Sequence, residues 1–490
     1  MIQTLTEQYL QITSTNRLYT RNRDQWQYLL EAYMGGRDWH QGQHLTKYVN
    51  ETAGEYLARL TSTPLENHCK SVISTYISFL FRKEPEREYG SLEYDPALAD
   101  FLEDADMDGR SFDSFMKEVS IWSSVFGHVW VLIVKPNVGA ITKGDELQQG
   151  VRPYVNLITP LVVTDWSWNR LPNGRYNLTY LKYIEDANDS ISTIKEWTAT
   201  EIHTWVVDHE SRNILEHTVE VNQLGEIPAV CAYNQKSPVR GVGVSDITDI
   251  ADAQKFIYNM TSEVEQSVRI NGHPALVKTA GTEAAAGAGA VIQMEENMDP
   301  GLKPYMLSVS TDINSIFTAI GHYSDIIDKM ANTGSVRATE ARRMSGVAQE
   351  QEFQLLNARL SEKADSLELT EEQIWQWFCF YQGYSWDGEI EYPDSFAIRD
   401  TQNAVETLVK AKQAATDPRV LNIIDHELIE LLGEEGDMII PEIFDPAEIP
   451  EKAPFEPHYM INPETGEKFI ARTEQEHLDY AALGYLHEEE

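Results

Sequence analysis

The stretch from residue 333 to residue 380 constrains this chain most, because no other segment is as long, as uninterrupted or as periodic. No proline falls between Tyr305 and Tyr392, and Gly346 is the only glycine between Gly334 and Gly383. A helix of this length would run roughly 60 to 70 Å, more than one small core requires. Apolar residues recur mostly at steps of three, four or seven, which predicts a buried face: Ala341, Met344, Ala348, Leu355, Leu360, Leu367, Ile374 and Phe378.

Two further amphipathic helices are predicted just upstream, over residues 246–268 and 312–330. Ser245 is a candidate cap for the first helix, and the return helix is expected to stop near Asn332. A Gly/Ala-rich insert with strand-like ends, 272–308, separates them. The predicted order is therefore helix, insert, helix, break and very long helix. The apolar stripes are Ile247, Ile250, Ile257, Met260, Val264 and Val268, then Ile313, Ile316, Ile320, Ile327 and Met330.

Length and charge bound the possible functions. A chain of 490 residues suggests two to four modules. Asp and Glu number 78 against 39 Lys and Arg, a net charge of −39, which argues against tight wrapping of nucleic acid. This acidity is explained by the need to keep a large protein soluble. It is also explained if the protein forms a wall past which DNA slides, because an acidic surface repels DNA and prevents adhesion. The longest apolar run, 129–134, is too short to span a membrane, no secretory signal is recognisable, and three scattered cysteines predict reduced core thiols.

The first half of the chain changes from helix to strand at Gly127. Helices are expected over 4–34, over 63–81 with Thr63 as its cap, and over 112–126. The acidic segment 104–109 resembles half of a calcium loop, but Phe115 occupies the position of the bidentate Glu, so an acidic turn is preferred. Strands are expected around 128–134, 151–163, 176–184, 202–207 and 215–221, and Trp166, Trp168, Trp197 and Trp205 among them favour core packing over base stacking.

The remaining motifs give no catalytic signature. The Gly241-Val-Gly243 turn lacks the third glycine and the context of a dinucleotide loop. No phosphate loop, zinc-protease helix or nucleophile elbow occurs in the sequence, so the protein is expected not to be an enzyme and to need no cofactor or metal. After Gly383, helices are expected over 404–415 and 420–432, followed by an acidic linker, 433–457, and a small module over 459–486 with a turn at 462–466.

Four phrases, in this order, resemble the portal proteins of tailed bacteriophages: NHCKSVISTYISFLF at 67–81, DMDGRSFDSF at 106–115, LGEIP at 224–228 and SDITDIADAQKFIY at 245–258. The resemblance covers about 63–383. It implies an α+β, ring-forming portal fold, usually of twelve subunits, with an axial channel for DNA. The implied regions are a wing at 1–244, stem helices at 245–270 and 311–330, a clip at 271–310, a tunnel loop at 331–346, a long helix returning to the wing at 347–400, a helical crown at 401–432, and a linker with an appended module at 433–490.

The resemblance also implies partners and a location. The ring would occupy one vertex of the capsid in the virion, after assembly in the host cytoplasm. It would contact the major capsid protein, the terminase motor and a head-completion or tail adaptor protein. Double-stranded DNA would pass through it during packaging and ejection without sequence recognition, and no membrane would be involved.

Arg337, Arg342 and Arg343 gather at the predicted tunnel loop of an otherwise acidic chain, so they are the candidate DNA-channel contacts. Salt bridges to Glu340 or Glu350 at helical spacing explain these arginines equally well. A non-enzymatic helical scaffold or adaptor of the virion without a DNA channel is the alternative function. A metal-dependent hydrolase built on the many carboxylates is the least favoured interpretation.

Overall fold

The computed structural model describes residues 5–136, 142–272, 275–278, 299, 301, 303–307, 312–337, 346–393, 395–396, 408–412, 420–421, 424, 426, 458–462, 468–472 and 486–487. The chain divides into two compact units, Met1–Ala397 and Ile398–Glu490. The described residues combine helices with antiparallel sheets, so the α+β class is confirmed.

The helices of the first unit are α1 Leu5–Ile12, α2 Arg17–Met34, α3 Gly36–Gln41, α4 Ala53–Ser62, α5 His68–Leu80, α6 Pro96–Glu103, α7 Phe112–Phe126, α8 Lys143–Gln148, α9 Thr248–Gly272, α10 Ile313–Ala331, α11 Gly334–Arg337 and α12 Gly346–Gln382. A 3-10 turn spans Gly90–Tyr94. The 37 residues of α12 make it about 55 Å long.

The strands are β1 Glu86–Glu88, β2 His128–Val134, β3 Tyr154–Ile158, β4 Val163–Arg170, β5 Tyr176–Ala187, β6 Ile191–Thr198, β7 Glu201–Asp208, β8 Asn213–Val221, β9 Ala229–Tyr233, β10 Ala275–Val277, β11 Tyr305–Leu307, β12 Glu389–Glu391, β13 His458–Ile461, β14 Lys468–Ala471 and β15 Leu486–His487. The first unit holds an antiparallel sheet in the order β3-β2-β9, a meander β4-β5-β6-β7-β8, and the pairs β1-β12 and β10-β11.

The core of the first unit forms around α7, β2 and α12. Ser111 caps α7 by accepting the N–H of Ser114, and Gly127 ends the helix with φ 89°, a conformation that suits glycine. The chain turns there directly into β2, whose first six residues are buried. Trp130 and Trp375 are fully buried in this core. The predicted helix 112–126 and strand 128–134 are therefore confirmed.

Several sequence-based boundaries were wrong because local caps compete. Thr63 does not cap α5; its hydroxyl donates to the carbonyl of Arg59, 2.7 Å away, and ends α4. Asn67 caps α5 instead by accepting the N–H of Lys70 at 2.8 Å. The predicted helix 4–34 is split into α1 and α2, because Asn16 caps α2 and also binds the carbonyl of Thr164 in β4.

The buried apolar face predicted for the long helix is confirmed in the second half of the helix and is wrong at one position. Leu360, Leu367, Ile374 and Phe378 are buried, but Leu355 is 60% exposed. Its neighbour Leu356 is fully buried in its place. The side chains of Ala341, Met344 and Ala348 lie outside the described residues.

The second unit contains a small sheet in the order β14-β13-β15. The antiparallel pair β13-β14 flanks the turn predicted at 462–466, of which residue 462 is described. Of the helices predicted over 404–415 and 420–432, residues 408–412 are described as helical together with 420–421, 424 and 426. The acidic linker lies outside the described residues, and the proposed domain boundaries stay predictions.

Candidate interface and channel region

The two helices predicted before the break form one antiparallel hairpin. α9 and α10 pack along each other, and the rings of Phe256 and Tyr323 stack with centroids 4.0 Å apart. β10 directly follows α9, β11 directly precedes α10, and the two strands pair. The hairpin therefore has a tip that carries a two-stranded sheet and a root where α9 begins and α10 ends.

One arginine of the long helix joins both sides of the root. Arg359 of α12 donates to the carboxylate of Asp246, just before α9, at 3.0 Å. Its other terminal nitrogen donates to the carbonyl of Met330 in the last turn of α10 at 3.2 Å. Tyr76 of α5 adds a hydrogen bond of 2.6 Å to the carbonyl of Ala331. The root is thus held by groups from α12 and α5.

A buried ion pair completes this root cluster, defined here as Asp246, Arg359 and Lys363. The ammonium of Lys363 lies 2.5 Å from the Asp246 carboxylate, whose side chain is 5% exposed. Lys363 also donates to the hydroxyl of Ser124 at 2.9 Å and to the amide oxygen of Asn234. Burial alone would raise the pKa of Asp246, but the charges of Lys363 and Arg359 outweigh burial and hold that pKa below its usual value.

A second ion pair lies just beyond the root, at the entrance to the predicted tunnel loop. The guanidinium of Arg337 in α11 lies 2.8 Å from the carboxylate of Asp328 in α10, with both side chains at most 15% exposed. It also lies 3.3 Å from Nδ1 of His68, the first residue of α5. Burial lowers the pKa of His68, and Arg337 lowers it further against the opposing effect of Glu66. The described chain before the loop is therefore anchored to the body.

The apolar side of α10 is covered only in part within one chain. Ile327 and Ala331, both near the root, are the buried residues of this 19-residue helix. Phe317, nearer the tip, is 56% exposed, and Val268 on α9 is 57% exposed. The predicted stripe is thus correct for Ile327, whereas Met330 is exposed and Ile313, Ile316 and Ile320 are only half-buried. Apolar side chains left exposed on a paired helix are available for protein–protein contacts.

The three predicted channel residues are only partly described. Arg337 is placed in the ion pair with Asp328, while Arg342 and Arg343 lie outside the described residues, as does their alternative partner Glu340. The side chain of Glu350 is also outside the described part. The assignment of these arginines to a DNA channel stays a prediction.

Sequence reasoning missed the root cluster. Asp246 falls inside a phrase that was recognised, but nothing in its spacing indicates a partner more than a hundred residues away. Arg359 and Lys363 lie four residues apart on α12, where charged residues usually indicate a solvated face. The available signal was the Ser245-Asp246 pair before a long helix, and this pair predicted only a cap for that helix.

Other candidate sites can now be described. In the acidic turn, the carboxylate of Asp106 accepts the N–H groups of Asp108 and Arg110, and that of Asp104 accepts the N–H of Gly109. These hydrogen bonds form an acidic turn over 104–110, and the absence of calcium there stays a prediction. Within the described ranges, no group of three or more His, Cys, Asp or Glu is placed to hold a metal ion. None of the described helices is long and apolar enough to cross a membrane.

The turn and the cysteines follow the interpretation given from sequence. Gly241 adopts φ 79° with its Cα against the indole of Trp166, so it acts as a backbone turn. Cys69, Cys231 and Cys379 are free and buried. Trp166 and Trp197 are buried in the core, which confirms packing for these two, while Trp168 and Trp205 are half-buried.

No family model matches the chain, and no curated protein matches it. One similar solved structure is a chain from the neck of an empty gene transfer agent particle, computed with C6 symmetry. It is 11% identical, with a TM-score of 0.45, and the match covers 80% of this chain and 99% of that chain. A chain of the virion of a native gene transfer agent particle is 11% identical, with a TM-score of 0.44, over 81% and 98%. A neck chain of the native particle, computed with C12 symmetry, is 10% identical, with a TM-score of 0.43, over 81% and 98%. At these TM-scores the structural similarity is too weak to assign a role to this chain.

Proposed function

We propose that this protein is the subunit of a portal-type ring at one capsid vertex of a phage-like virion. The ring encloses an axial channel through which double-stranded DNA enters during packaging and leaves during ejection. It docks a terminase motor and, later, a head-completion or tail adaptor protein, and it contacts the major capsid protein. In this proposal the protein is structural, needs no cofactor and has no catalytic step.

The α9–α10 hairpin is the observation that carries the proposal. Its root is fixed to the body by the root cluster, while Phe317 and Val268 nearer the tip stay uncovered in one chain. A surface that contacts a different surface of the next copy produces a closed ring when the rotation closes. Neighbouring hairpins packed side by side would cover these side chains and surround an axis, as stem helices do in the portal resemblance.

The channel lining is the finer part of the proposal. The segment 331–346, which follows the hairpin, would form the tunnel loop, with Arg342 and Arg343 as light contacts to the DNA backbone. Arg337 would join them only after its guanidinium leaves Asp328. Charges beyond about 8 Å of the DNA are screened at physiological salt, so this lining matters more than the total charge of −39 per subunit.

Negative-stain electron microscopy of the purified full-length protein, together with its mass in solution, tests the proposal. We expect closed rings with a central hole and a mass near twelve subunits. A chain that stays monomeric at high concentration, even with capsid protein present, would contradict the ring and favour the adaptor without a channel. The protein concentration must be varied, because an obligate interface is lost on dilution.

A further inference from the structure

An aromatic groove on the first unit is not among the features that carry the function proposed above. It runs between α12, the strands β4 and β5, and β9, and encloses a cavity of about 250 Å³. Its walls include Trp168, Tyr176, Tyr233, Leu369 and Trp377. Leu369 is 43% and Tyr176 is 47% exposed. The groove is therefore open to solvent, and aromatic rings and Leu369 line it together with polar side chains.

The rim of this groove carries two cations, Lys236 and Arg240. The guanidinium of Arg240 lies over the ring of Tyr176, 3.8 Å from its centroid, and 5.4 Å from that of Trp168. Stacking of this kind fixes the plane of the guanidinium while leaving its N–H donors available. Arg240 is therefore oriented for a planar acceptor such as a carboxylate.

The loop that presents Arg240 is itself held in place. The hydroxyl of Ser237 donates to the carbonyl of Val242 at 2.6 Å, and the N–H of Gly241 donates to the hydroxyl of Tyr233 at 2.8 Å. Lys236 pairs with Gly243 in an isolated antiparallel bridge. A preorganised cation loses less conformational entropy on binding than a free one.

Neither cation has a carboxylate partner among the described residues of the first unit, although Asp and Glu outnumber Lys and Arg two to one in the chain. Two cations beside a groove lined by aromatic rings are complementary to a segment that carries carboxylates next to an aliphatic or aromatic side chain. Every further copy of this chain presents a predominantly acidic surface.

We propose that this groove is a contact between copies of the chain, in which an acidic, apolar segment of a second copy inserts beside Leu369 and places a carboxylate on Arg240. The contact deepens the proposed ring, because groove and inserted segment are different surfaces and such a contact is heterologous.

Photo-crosslinking between isotopically distinct copies tests this contact. Full-length chains carrying p-benzoylphenylalanine at position 369 are prepared with natural and with nitrogen-15 isotopes, mixed in equal amounts, illuminated and analysed by mass spectrometry. We expect crosslinked peptides of mixed isotope that join position 369 to an acidic peptide of another copy. Absence of mixed crosslinks at concentrations where the copies associate would overturn the proposal and leave the groove to another partner.

Charge reversal provides the second measurement. Arg240→Glu together with Lys236→Glu should reduce the yield of mixed crosslinks about tenfold, while Lys117→Glu, a single charge reversal on the exposed side of α7, should leave it unchanged. An unchanged yield in the double variant would also overturn the proposal. Rings without mixed crosslinks refute this contact alone, whereas mixed crosslinks without rings refute the portal function alone.

Discussion

The two ends of the α9–α10 hairpin belong to the same amphipathic helices, but one end is buried and the other is exposed to solvent. At the root, Ile327 is fully buried, and Asp246 is paired with two cations in the interior. Towards the tip, Phe317 is 56% exposed to solvent. The usual distribution is therefore reversed along the same hairpin, with charges buried at one end and a large apolar side chain exposed at the other.

This difference shows that periodicity predicts which side of a helix is apolar but not what covers that side. The root is covered by α5 and α12 of its own chain, whereas Phe317 and Val268 of the outer half stay more than half exposed within that chain. A buried charge requires fixed partners, so the root serves rigidity within one subunit. An exposed apolar face favours association, so the outer half serves contacts with another subunit.

The largest effect is expected from breaking the root. Asp246→Ala leaves the buried Lys363 and the half-buried Arg359 as neighbouring cations without their shared acid, which should lower the free energy of unfolding by about 3–5 kcal/mol. Urea denaturation of the wild type and the variant measures this. Asp249→Ala removes an exposed acid from the first turn of the same helix and should cost less than about 1 kcal/mol. Equal losses in both variants would mean that the cluster is not the element that holds the root.

A matched pair of substitutions on α10 compares the two ends directly. Ile327→Ala empties a fully buried position and should cost about 2–4 kcal/mol in unfolding experiments. Phe317→Ser changes an exposed position and should alter the stability of the single chain by no more than about 0.5 kcal/mol. Sedimentation should nevertheless show that Phe317→Ser assembles less readily than the wild type. Normal assembly of this variant would remove the hairpin from the subunit contact.

The smallest expected effect, measured per pH unit, is on the pH dependence of folding stability. Burial lowers the pKa of His128 to about 3, and its Nε2 has no hydrogen-bond partner. The unfolded chain takes up this proton near pH 6.5, before the folded chain does. Stability is therefore complete above pH 6.5 and falls by about 1.4 kcal/mol per pH unit towards pH 3. His128→Phe should flatten the slope by about one proton in urea titrations at several pH values.

Elements with strong local signals could be predicted from the sequence. The helix α7 and the strand β2 were predicted to the residue because Ser111 and Gly127 punctuate a strongly apolar run. Strands β6 and β9 were missed, because β6 alternates weakly and β9 is a short buried run behind a proline. Thr63 and Asn67 are two plausible caps only four residues apart, and tertiary contacts decided between them.

The candidate site was less accessible to sequence reasoning. The order of helix, insert, helix and long helix was evident, since it depends on local periodicity. The root cluster depends on residues that approach through the tertiary fold, and a charged residue on a helix gives the same pattern whether solvent or a buried acid faces it. The aromatic groove likewise combines residues from four separate segments. Neither feature leaves a periodic signal.

The two hydrogen bonds of Arg359 also join the start and the end of the hairpin at its base. One guanidinium binds both Asp246 and the carbonyl of Met330, so the intervening excursion of about 80 residues is a loop closed at its base. The entropy of closing a loop grows only with the logarithm of its length, about 0.6 kcal/mol for each doubling. Insertions at the tip therefore leave the closure almost unchanged, and the end of the hairpin can accept new sequence while the fold of the body remains intact.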